Sequence, residues 1–186
     1  MTMNSSRTIL DHFTFRTLLQ GMSHPGKIYP LTNLSGAKSA AVMLLGCLMD
    51  HEVRFTVIDD PELESVLAHD TGGLRSAPED ADCVIVCNGT TGGRLACFRR
   101  GSLEYPDTGA TVLYLVAELK EESGGVTLSG PGVAGTAMLR ISGLHPDELQ
   151  LLKSVNSEFP QGVDAIFLDR GGRIACIPRS SRIGVS

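Results

Sequence analysis

The chain has 186 residues, a length that fits one domain and allows a sizeable apolar core without disulfides or metals. Hydrophobic residues make up 42% and charged residues 20%, the composition of an ordinary soluble globular protein. The net charge is -5, and a C-terminal segment with four arginines and one acid follows a mildly acidic body. Nucleic-acid-binding proteins need a broad basic face, so we predict a single domain over residues 1–186 that binds no nucleic acid.

Membrane insertion and export are also disfavoured. The longest apolar runs, such as residues 40–49, are too short to span a bilayer and are interrupted by Gly46. Residues 1–7 lack the apolar segment of a secretion signal. The five cysteines are an odd number without zinc-type spacing, which favours small core residues in a reducing compartment. We therefore expect a cytoplasmic protein with no membrane segment and no metal.

The first third of the chain predicts a helix, a turn, a short strand and a second helix. Phe15, Leu18, Leu19 and Met22 have the spacing of one buried helix face. The turn follows because a residue before proline disfavours the helical region and glycine permits a turn. The predicted segments are a helix at 11–22, a turn at 23–26, a strand at 27–31 and a helix at 39–49.

The middle of the chain alternates strands and helices. Asp60-Pro61 is typical of a helix start, and Gly72-Gly73 of its end. In the last helix of this region we expect Leu149, Leu152 and Val155 to face inward. The predicted strands are 53–58, 83–87, 111–117 and 126–129; the predicted helices are 61–69, 94–100 and 146–158; the loop 88–93 and the polar turn 120–125 separate them.

The C-terminal region predicts two antiparallel strands, 163–168 and 174–177. Gly171-Gly172 has the composition of a two-residue hairpin turn with positive φ angles. Pro178 ends the second strand and sets Arg179 just past it, where we expect it to be exposed. Strands that alternate with helices, together with this hairpin, predict an α/β sandwich whose central mixed β-sheet is flanked by helices.

A glycine-rich loop at 130–135 matches the pattern G-x-G-x-x-G and follows a predicted strand. A dinucleotide site needs a helix directly after such a loop, whereas residues 137–141 favour an extended chain. We therefore favour a loop that links two strands, with backbone donation to an anion as the second possibility. The loop at 88–94 lacks the lysine of an ATP-binding loop, which favours a surface turn.

No residue pattern indicates a catalytic nucleophile, a metal site or a lysine that forms a Schiff base. Arg16 and Arg179 are the strongest candidates for binding an anion or the carboxylate of a partner, because guanidinium groups form bidentate pairs. The alternative role for both is a structural ion pair between the first helix and the last strand. His24 is the histidine of most interest, since it lies in the turn after the first helix.

Three segments resemble the motifs of one protein family. Residues 15–26 (FRTLLQGMSHPG), 128–133 (LSGPGV) and 159–181 (FPQGVDAIFLDRGGRIACIPRSS) are similar to motifs of the PhnH subunit of the bacterial carbon-phosphorus lyase system, in the same order. The resemblance implies a fold like the large domain of pyridoxal-phosphate-dependent transferases, without the cofactor lysine. The ligand- or partner-binding residues that we predict from these motifs are Phe15, Arg16, Ser23, His24, Pro25, Gly26, Gly130, Pro131, Gly132, Pro178 and Arg179.

The resemblance also implies a function. It predicts a homodimer in isolation and a subunit that joins PhnG, PhnI and PhnJ, and that with PhnG, PhnI and PhnL supports formation of ribose 1-phosphonate 5-triphosphate from ATP and a phosphonate. On this reading the chain has no cofactor and is not catalytic alone. The alternatives are a small phosphotransferase or nucleosidase, which would turn over substrate by itself, and a stand-alone homodimer that binds phosphonates or nucleotides.

Overall fold

The computed structural model describes residues 2–31 and 36–184, with side chains from Ile9 onward. Helices and strands alternate along most of the chain, as predicted. The helices are α1 Thr2–Ser23, α2 Ala37–Gly46, α3 Pro61–Thr71 and α4 Pro146–Val155. The strands are β1 Tyr29–Pro30, β2 Arg54–Ile58, β3 Leu74–Arg75, β4 Cys83–Val86, β5 Thr111–Val116, β6 Glu118–Lys120, β7 Val126–Ser129, β8 Ala137–Ser142, β9 Asp164–Asp169, β10 Arg173–Ile177 and β11 Arg182–Gly184.

A mixed sheet forms the centre of the fold. In the part of the chain that the structure describes, its seven strands have the order β1-β10-β9-β5-β4-β2-β3. Strands β3, β2, β4, β5 and β9 are parallel, and β10 and β1 add antiparallel pairing at one side. All four residues of β4 are buried, as expected for a strand covered on both faces. The predicted α/β class with a mixed central sheet flanked by helices is therefore confirmed.

A second, antiparallel sheet was not predicted. Its order is β11-β7-β8-β6 among the described residues. Of its strands, only β7 was predicted as a strand. The predicted polar turn at 120–125 overlaps the last residue of β6. The segment of β8 was predicted only as an extended chain. The strands were hard to recognise because they are short and lie on the outside, with a half-exposed pattern rather than continuous apolar runs.

Two apolar cores lie on opposite faces of the central sheet. One is formed with α1, α2 and α3 and contains the buried Leu44, Phe55 and Ile85. The other is formed with α4 and the second sheet, and contains Tyr114 and Phe167, whose rings stack with their centroids 5.3 Å apart. The second sheet therefore covers the face of the central sheet that α4 alone leaves open.

The predicted helix at 11–22 is present but begins earlier, and its predicted buried face is correct only in part. Leu18 is buried and Met22 packs against the core, whereas Phe15 and Leu19 are exposed. The buried residues of the helix are Thr14, Thr17, Leu18 and Gly21. A Cβ at Gly21 would lie 2.9 Å from the Cys176 sulfur, so the helix approaches β10 closely through small side chains. The buried face is shifted by one residue from the predicted one, because the helix packs closely through small residues. The spacing of large apolar residues does not reveal such a face.

The remaining helix predictions are confirmed with shifted bounds. The Asp60 side chain accepts from Leu63 N at 3.0 Å and caps α3, which ends at Gly72 in the left-handed region with φ 73°. In α4, Leu152 and Val155 are buried as predicted and Leu149 is half-buried; the last predicted turn of α4, residues 156–158, is a 3-10 helix. The predicted helix 94–100 is a 3-10 helix over Arg94–Cys97.

The C-terminal hairpin pairs as predicted, but its turn is longer. Ile174 lies opposite Leu168, which leaves three residues between Asp169 and Arg173. Of the two glycines, Gly172 alone has positive φ, at 70°, and its N–H donates to Asp169 O. This is the three-residue hairpin with a left-handed glycine at its end, and the predicted two-residue turn is wrong.

Candidate functional site: a corner where three motifs meet

The turn after α1 is tied to both sheets. The Gly26 N–H donates to Cys176 O in β10 at 3.2 Å, and Ile28 N donates to Glu121 Oε1 at 2.8 Å. Lys27 Nζ lies 2.9 Å from Glu121 Oε2. The exposed His24 ring contacts the helix end, with Nδ1 3.1 Å from Gln20 O. The turn is thus held in a fixed position between β10 and the chain that follows β6.

The glycine-rich loop is a tight turn between β7 and β8. Val133 N donates to Gly130 O at 3.1 Å, Pro131 occupies the second position and Gly132 the third with φ 79°, which is the pattern of a type II turn. The chain then enters β8, an antiparallel strand, so a dinucleotide-binding loop followed by a helix is excluded. The interpretation as a loop that links two strands is confirmed.

The segment that leaves β10 is fixed by an ion pair. Arg179 Nη2 and Nε lie 2.6 and 3.1 Å from Asp164 Oδ2, and Arg179 N donates to Asp164 Oδ1 at 2.8 Å. Arg179 Nη1 also donates to Pro106 O. The side chain is 13% exposed, so the expectation of an exposed arginine is wrong. The ion pair joins the two ends of the hairpin, and not the first helix to the last strand.

The three motif segments meet at one corner of the molecule. A Cβ at Gly132 would collide with the carbonyl oxygen of Ser23, which belongs to the first segment. A Cβ at Gly130 would lie 3.2 Å from the carbonyl oxygen of Ser180, which belongs to the third. The β7–β8 loop therefore lies between the turn after α1 and the exit from β10, and a cleft opens on each side of it.

The first cleft, here called the turn cleft, has a volume of about 570 Å³. Its charged groups form pairs: Lys27 with Glu121, and Glu122 with Arg140. Burial alone would raise the pKa of Glu121, but the Ile28 N–H and the Lys27 ammonium outweigh it and lower that pKa. The cleft is lined by His24, Pro25, Gly26, Lys27, Glu121, Glu122, Ser123, Gly132, Val133, Ala134, Thr136, Ala137 and Met138.

The second cleft, here called the exit cleft, has a volume of about 610 Å³. Its lining includes the cations Lys153, Arg179 and Arg182 and no carboxylate. Arg179 is paired with Asp164, whereas Lys153 and Arg182 are exposed and have no ion-pair partner among the described residues. The lining residues are Gly130, Pro131, Lys153, Asn156, Ser157, Phe159, Arg179, Ser180, Ser181, Arg182 and Ile183.

The predicted site residues are thus divided among three places. The predicted residues that line the turn cleft are His24, Pro25, Gly26 and Gly132, and Ser23 lies next to Gly132. The predicted residues that line the exit cleft are Gly130, Pro131 and Arg179, and Pro178 begins the turn after β10. Phe15 and Arg16 are exposed on α1 and line neither cleft, so Arg16 and Arg179 do not line one site together. Sequence reasoning did not select Lys153, Ser181, Arg182 or Asp164 as site residues.

A third cleft lies at the carboxyl ends of the parallel strands, where open α/β sheets commonly bind ligands. It measures about 540 Å³ and includes Asp59, whose φ is 66°, and Cys87, whose pKa burial raises to about 11. Lys38 Nζ lies 2.6 Å from Asp60 Oδ2, and this hydrogen bond raises the pKa of Lys38 and lowers that of Asp60. The acids and cations balance here, and the cleft contains none of the predicted residues.

The described residues show neither a metal-binding cluster nor a membrane-spanning helix. No three histidine, cysteine or acidic side chains within residues 2–31 and 36–184 are arranged to hold a metal ion. In the same part of the chain, no helix combines the length and the apolar character needed to cross a bilayer.

Comparison with known proteins gives the family. Residues 8–184 match the model of the bacterial phosphonate metabolism protein PhnH. The chain belongs to the PhnH family. It is also 34% identical over 175 residues to a Stutzerimonas stutzeri protein named "Putative C-P lyase subunit protein HtxG", an alignment that covers 92% of this chain and 84% of that protein. The resemblance drawn from the three motifs is confirmed, and with it a role in phosphonate metabolism as a relative of carbon-phosphorus lyase subunits.

Proposed function

We propose that this chain is a subunit of a carbon-phosphorus lyase assembly that supports formation of ribose 1-phosphonate 5-triphosphate from ATP and a phosphonate, together with PhnG, PhnI and PhnL. PhnJ belongs to the same assembly and completes the set of partners. The observation that carries the proposal is the family match over residues 8–184, which includes all three motif segments. The subunit works in the cytoplasm as one domain, with a likeness to the large domain of pyridoxal-phosphate-dependent transferases.

The chemistry of the corner supports a role that is not catalytic in isolation. The exit cleft is lined by cations, hydroxyls and an amide, and its lining contains no histidine, cysteine or carboxylate that would act as a base. The turn cleft contains His24, whose Nδ1 contacts Gln20 O at the helix end, and two carboxylates, Glu121 and Glu122, which form ion pairs with Lys27 and Arg140. Groups like those of the exit cleft bind and orient an anion, while proton transfer and bond cleavage come from other subunits.

The outer face of α1 supports association with other chains. Ile9, Phe13, Phe15 and Leu19 are 71%, 42%, 44% and 50% exposed on this helix. Exposed apolar side chains that cluster on one element are typical of a protein-protein interface. We propose that this face forms a homodimer in the isolated protein and is exchanged for another subunit in the assembly, which gives a role to the predicted partner-binding residue Phe15.

Sedimentation of the purified chain at micromolar concentration tests the association. The wild type is expected to be a dimer, and Leu19→Glu a folded monomer with an unchanged far-ultraviolet circular dichroism spectrum and a lower unfolding temperature, because a charge in an apolar interface is costly and the dimer no longer stabilises the fold. Val66→Glu, at a residue 41% exposed on α3, is the matched control and should remain dimeric. A monomeric wild type would refute the dimer, and a dimeric Leu19→Glu variant would refute the assignment of the α1 face.

Gene deletion tests the function. Cells that lack this chain are expected to grow on inorganic phosphate and to fail on methylphosphonate as the only phosphorus source. A tagged copy that restores growth should co-purify with PhnG, PhnI and PhnJ. Undiminished growth of the deletion strain on methylphosphonate would contradict the proposed function. Release of adenine from ATP by the purified chain, abolished by substitutions in its own clefts, would favour the stand-alone enzyme.

A further inference from the structure

The exit cleft has an imbalance of charge that the ion pairs of the fold leave unexplained. Arg179 and Asp164 neutralise each other behind the cleft. Lys153, in the last turn of α4, and Arg182, at the start of β11, then add two positive charges that no carboxylate in the lining offsets. Two unpaired cations that line the same concave surface attract a doubly charged anion.

A buried hydroxyl in the same cleft has no partner. Ser181 is 7% exposed, and its Oγ is buried without a hydrogen-bond partner in the protein. Buried polar atoms almost always have a partner, so the unused hydrogen-bonding capacity of this hydroxyl requires an explanation, and a ligand bound in the cleft would supply one. The neighbouring polar groups are occupied, since the Asn156 amide bonds the backbone of Val163 and Ser157 Oγ donates to Ser154 O.

We infer that the exit cleft binds a phosphoryl or phosphonyl group, held by Lys153, Arg182 and the Ser181 hydroxyl. A tetrahedral dianion accepts several hydrogen bonds at once, which matches two cations and one hydroxyl. The cleft volume of about 610 Å³ lies within the range of ligand pockets and exceeds the size of one such group. The inference rests on the proposed function only for the identity of the natural ligand.

Phe159 indicates what the rest of the ligand could contact. Its ring is 64% exposed at the border of the cleft. An exposed aromatic face beside cations offers a stacking surface for a nucleobase next to the site for its phosphates. A small phosphonate, in contrast, would use the cations and the hydroxyl and would not need the ring.

The C-terminal end of α4 gives Lys153 a competing explanation. A lysine in the last turn of a helix is favourable because the helix end carries partial negative charge, whether or not an anion is bound. Ser181 has no such structural explanation, because its Oγ makes no hydrogen bond within the protein. Ser181→Ala therefore separates the two roles: a purely structural cleft predicts unchanged or slightly higher stability and no effect on anions.

Isothermal titration of the purified chain with phosphate, methylphosphonate and ATP at low ionic strength tests the inference. Ser181→Ala is expected to weaken binding about tenfold, and Lys153→Gln/Arg182→Gln by about a hundredfold, since each hydrogen bond to a charged group that is removed costs about tenfold. Lys120→Gln/Arg170→Gln removes the same charge elsewhere and should bind as the wild type does. Unchanged unfolding temperatures show that the variants are folded.

The outcomes separate the possible ligands and the possible failures. If Phe159→Ala weakens the binding of ATP and leaves the binding of phosphate unchanged, the ligand is a nucleotide. If the binding of all three anions is unchanged, the ligand is the phosphonate. No binding of any of the three anions, or an equal loss in the control, would overturn the inference. The proposed function is tested separately by the deletion strain. If the purified chain binds none of the anions but the deletion strain still fails to grow on methylphosphonate, the anion site is refuted and the proposed function is not.

Discussion

The turn cleft and the exit cleft share one wall, the β7–β8 loop, and differ in charge. In the turn cleft Lys27 is matched by Glu121 at 2.9 Å, and Glu122 by Arg140 at 3.1 Å. In the exit cleft Lys153 and Arg182 face no carboxylate among the lining residues. Two clefts of similar volume that share a loop therefore differ in the charge they present. The paired charges of the turn cleft hold the fold together, and the unpaired cations of the exit cleft are the basis for the anion site inferred there.

The difference arises in the elements that flank the loop. On one side the chain after β6 contributes acidic residues, which hold the turn after α1 through Lys27 and the Ile28 N–H. On the other side the end of α4 and the start of β11 contribute cations. Three predictions test how each wall of this corner works.

The largest effect is expected for the ion pair behind the exit cleft. Arg179→Ala removes the guanidinium and leaves the Asp164 carboxylate, 25% exposed, with only the backbone N–H of residue 179 as a donor. We expect the free energy of unfolding to fall by about 3 to 4 kcal/mol, the lower part of the range for buried pairs, as measured by urea denaturation. An exposed arginine, as expected from the sequence, would contribute much less to stability.

Arg182→Ala is the control for that measurement. It removes an exposed arginine three residues further on, and we expect a change within about 0.5 kcal/mol. A double-mutant cycle with Asp164→Ala should show that most of the loss is coupling between the two residues. Equal stability of the Arg179 and Arg182 variants would mean that the pair does not hold the hairpin ends together.

The second effect concerns the wall between the clefts. Gly132→Ala places a methyl group in a left-handed residue with φ 79° and against the carbonyl oxygen of Ser23. We expect a loss of about 2 to 3 kcal/mol, because backbone strain and steric overlap add. Gly135→Ala has the same φ of 79° with no atom within 4 Å, so it should cost about 1 kcal/mol. Similar melting temperatures of the two variants would show that contact with Ser23 is unimportant.

The smallest effect is expected in the turn cleft and depends on pH. The pKa of Glu121 in the folded protein lies below its ordinary value of 4.5, so the charged form stabilises the fold above that pH. This contribution is lost as the pH falls through the folded pKa. Wild type should therefore melt slightly above Glu121→Gln at pH 7, and the difference should shrink as the pH falls below 4.5. A difference that grows toward pH 3 would contradict the assignment.

Much of the fold was predictable because continuous apolar runs and the signals that begin and end helices are local in the sequence. The strand 83–86 and the helix after Asp60-Pro61 are examples. The second sheet was not, since its short strands are half-exposed and owe their stability to partners distant in sequence. The face of α1 was misassigned because the contact with β10 uses Gly21 rather than a large apolar residue. Shape complementarity between elements is not visible in periodicity.

The candidate site was predictable only in part. The motifs located the corner, but Lys153 lies in a helix that none of them includes, and nothing local marks it. The Asp164–Arg179 pair did carry a signal, because antiparallel pairing of the two predicted strands sets Asp164 beside the residue after Pro178. Following the register of the hairpin would have identified Arg179 as an ion-paired residue.

Chemical-shift mapping of the amide signals during a phosphate titration tests the contrast between the two clefts most directly. We expect shifts that saturate together at Lys153, Ser181 and Arg182, with the signals of Lys27 and Glu121 unchanged, and the same residues should respond to methylphosphonate. Saturating shifts at Lys27 and Glu121, with the signals of Ser181 and Arg182 unchanged, would show that the exit cleft is not the anion site.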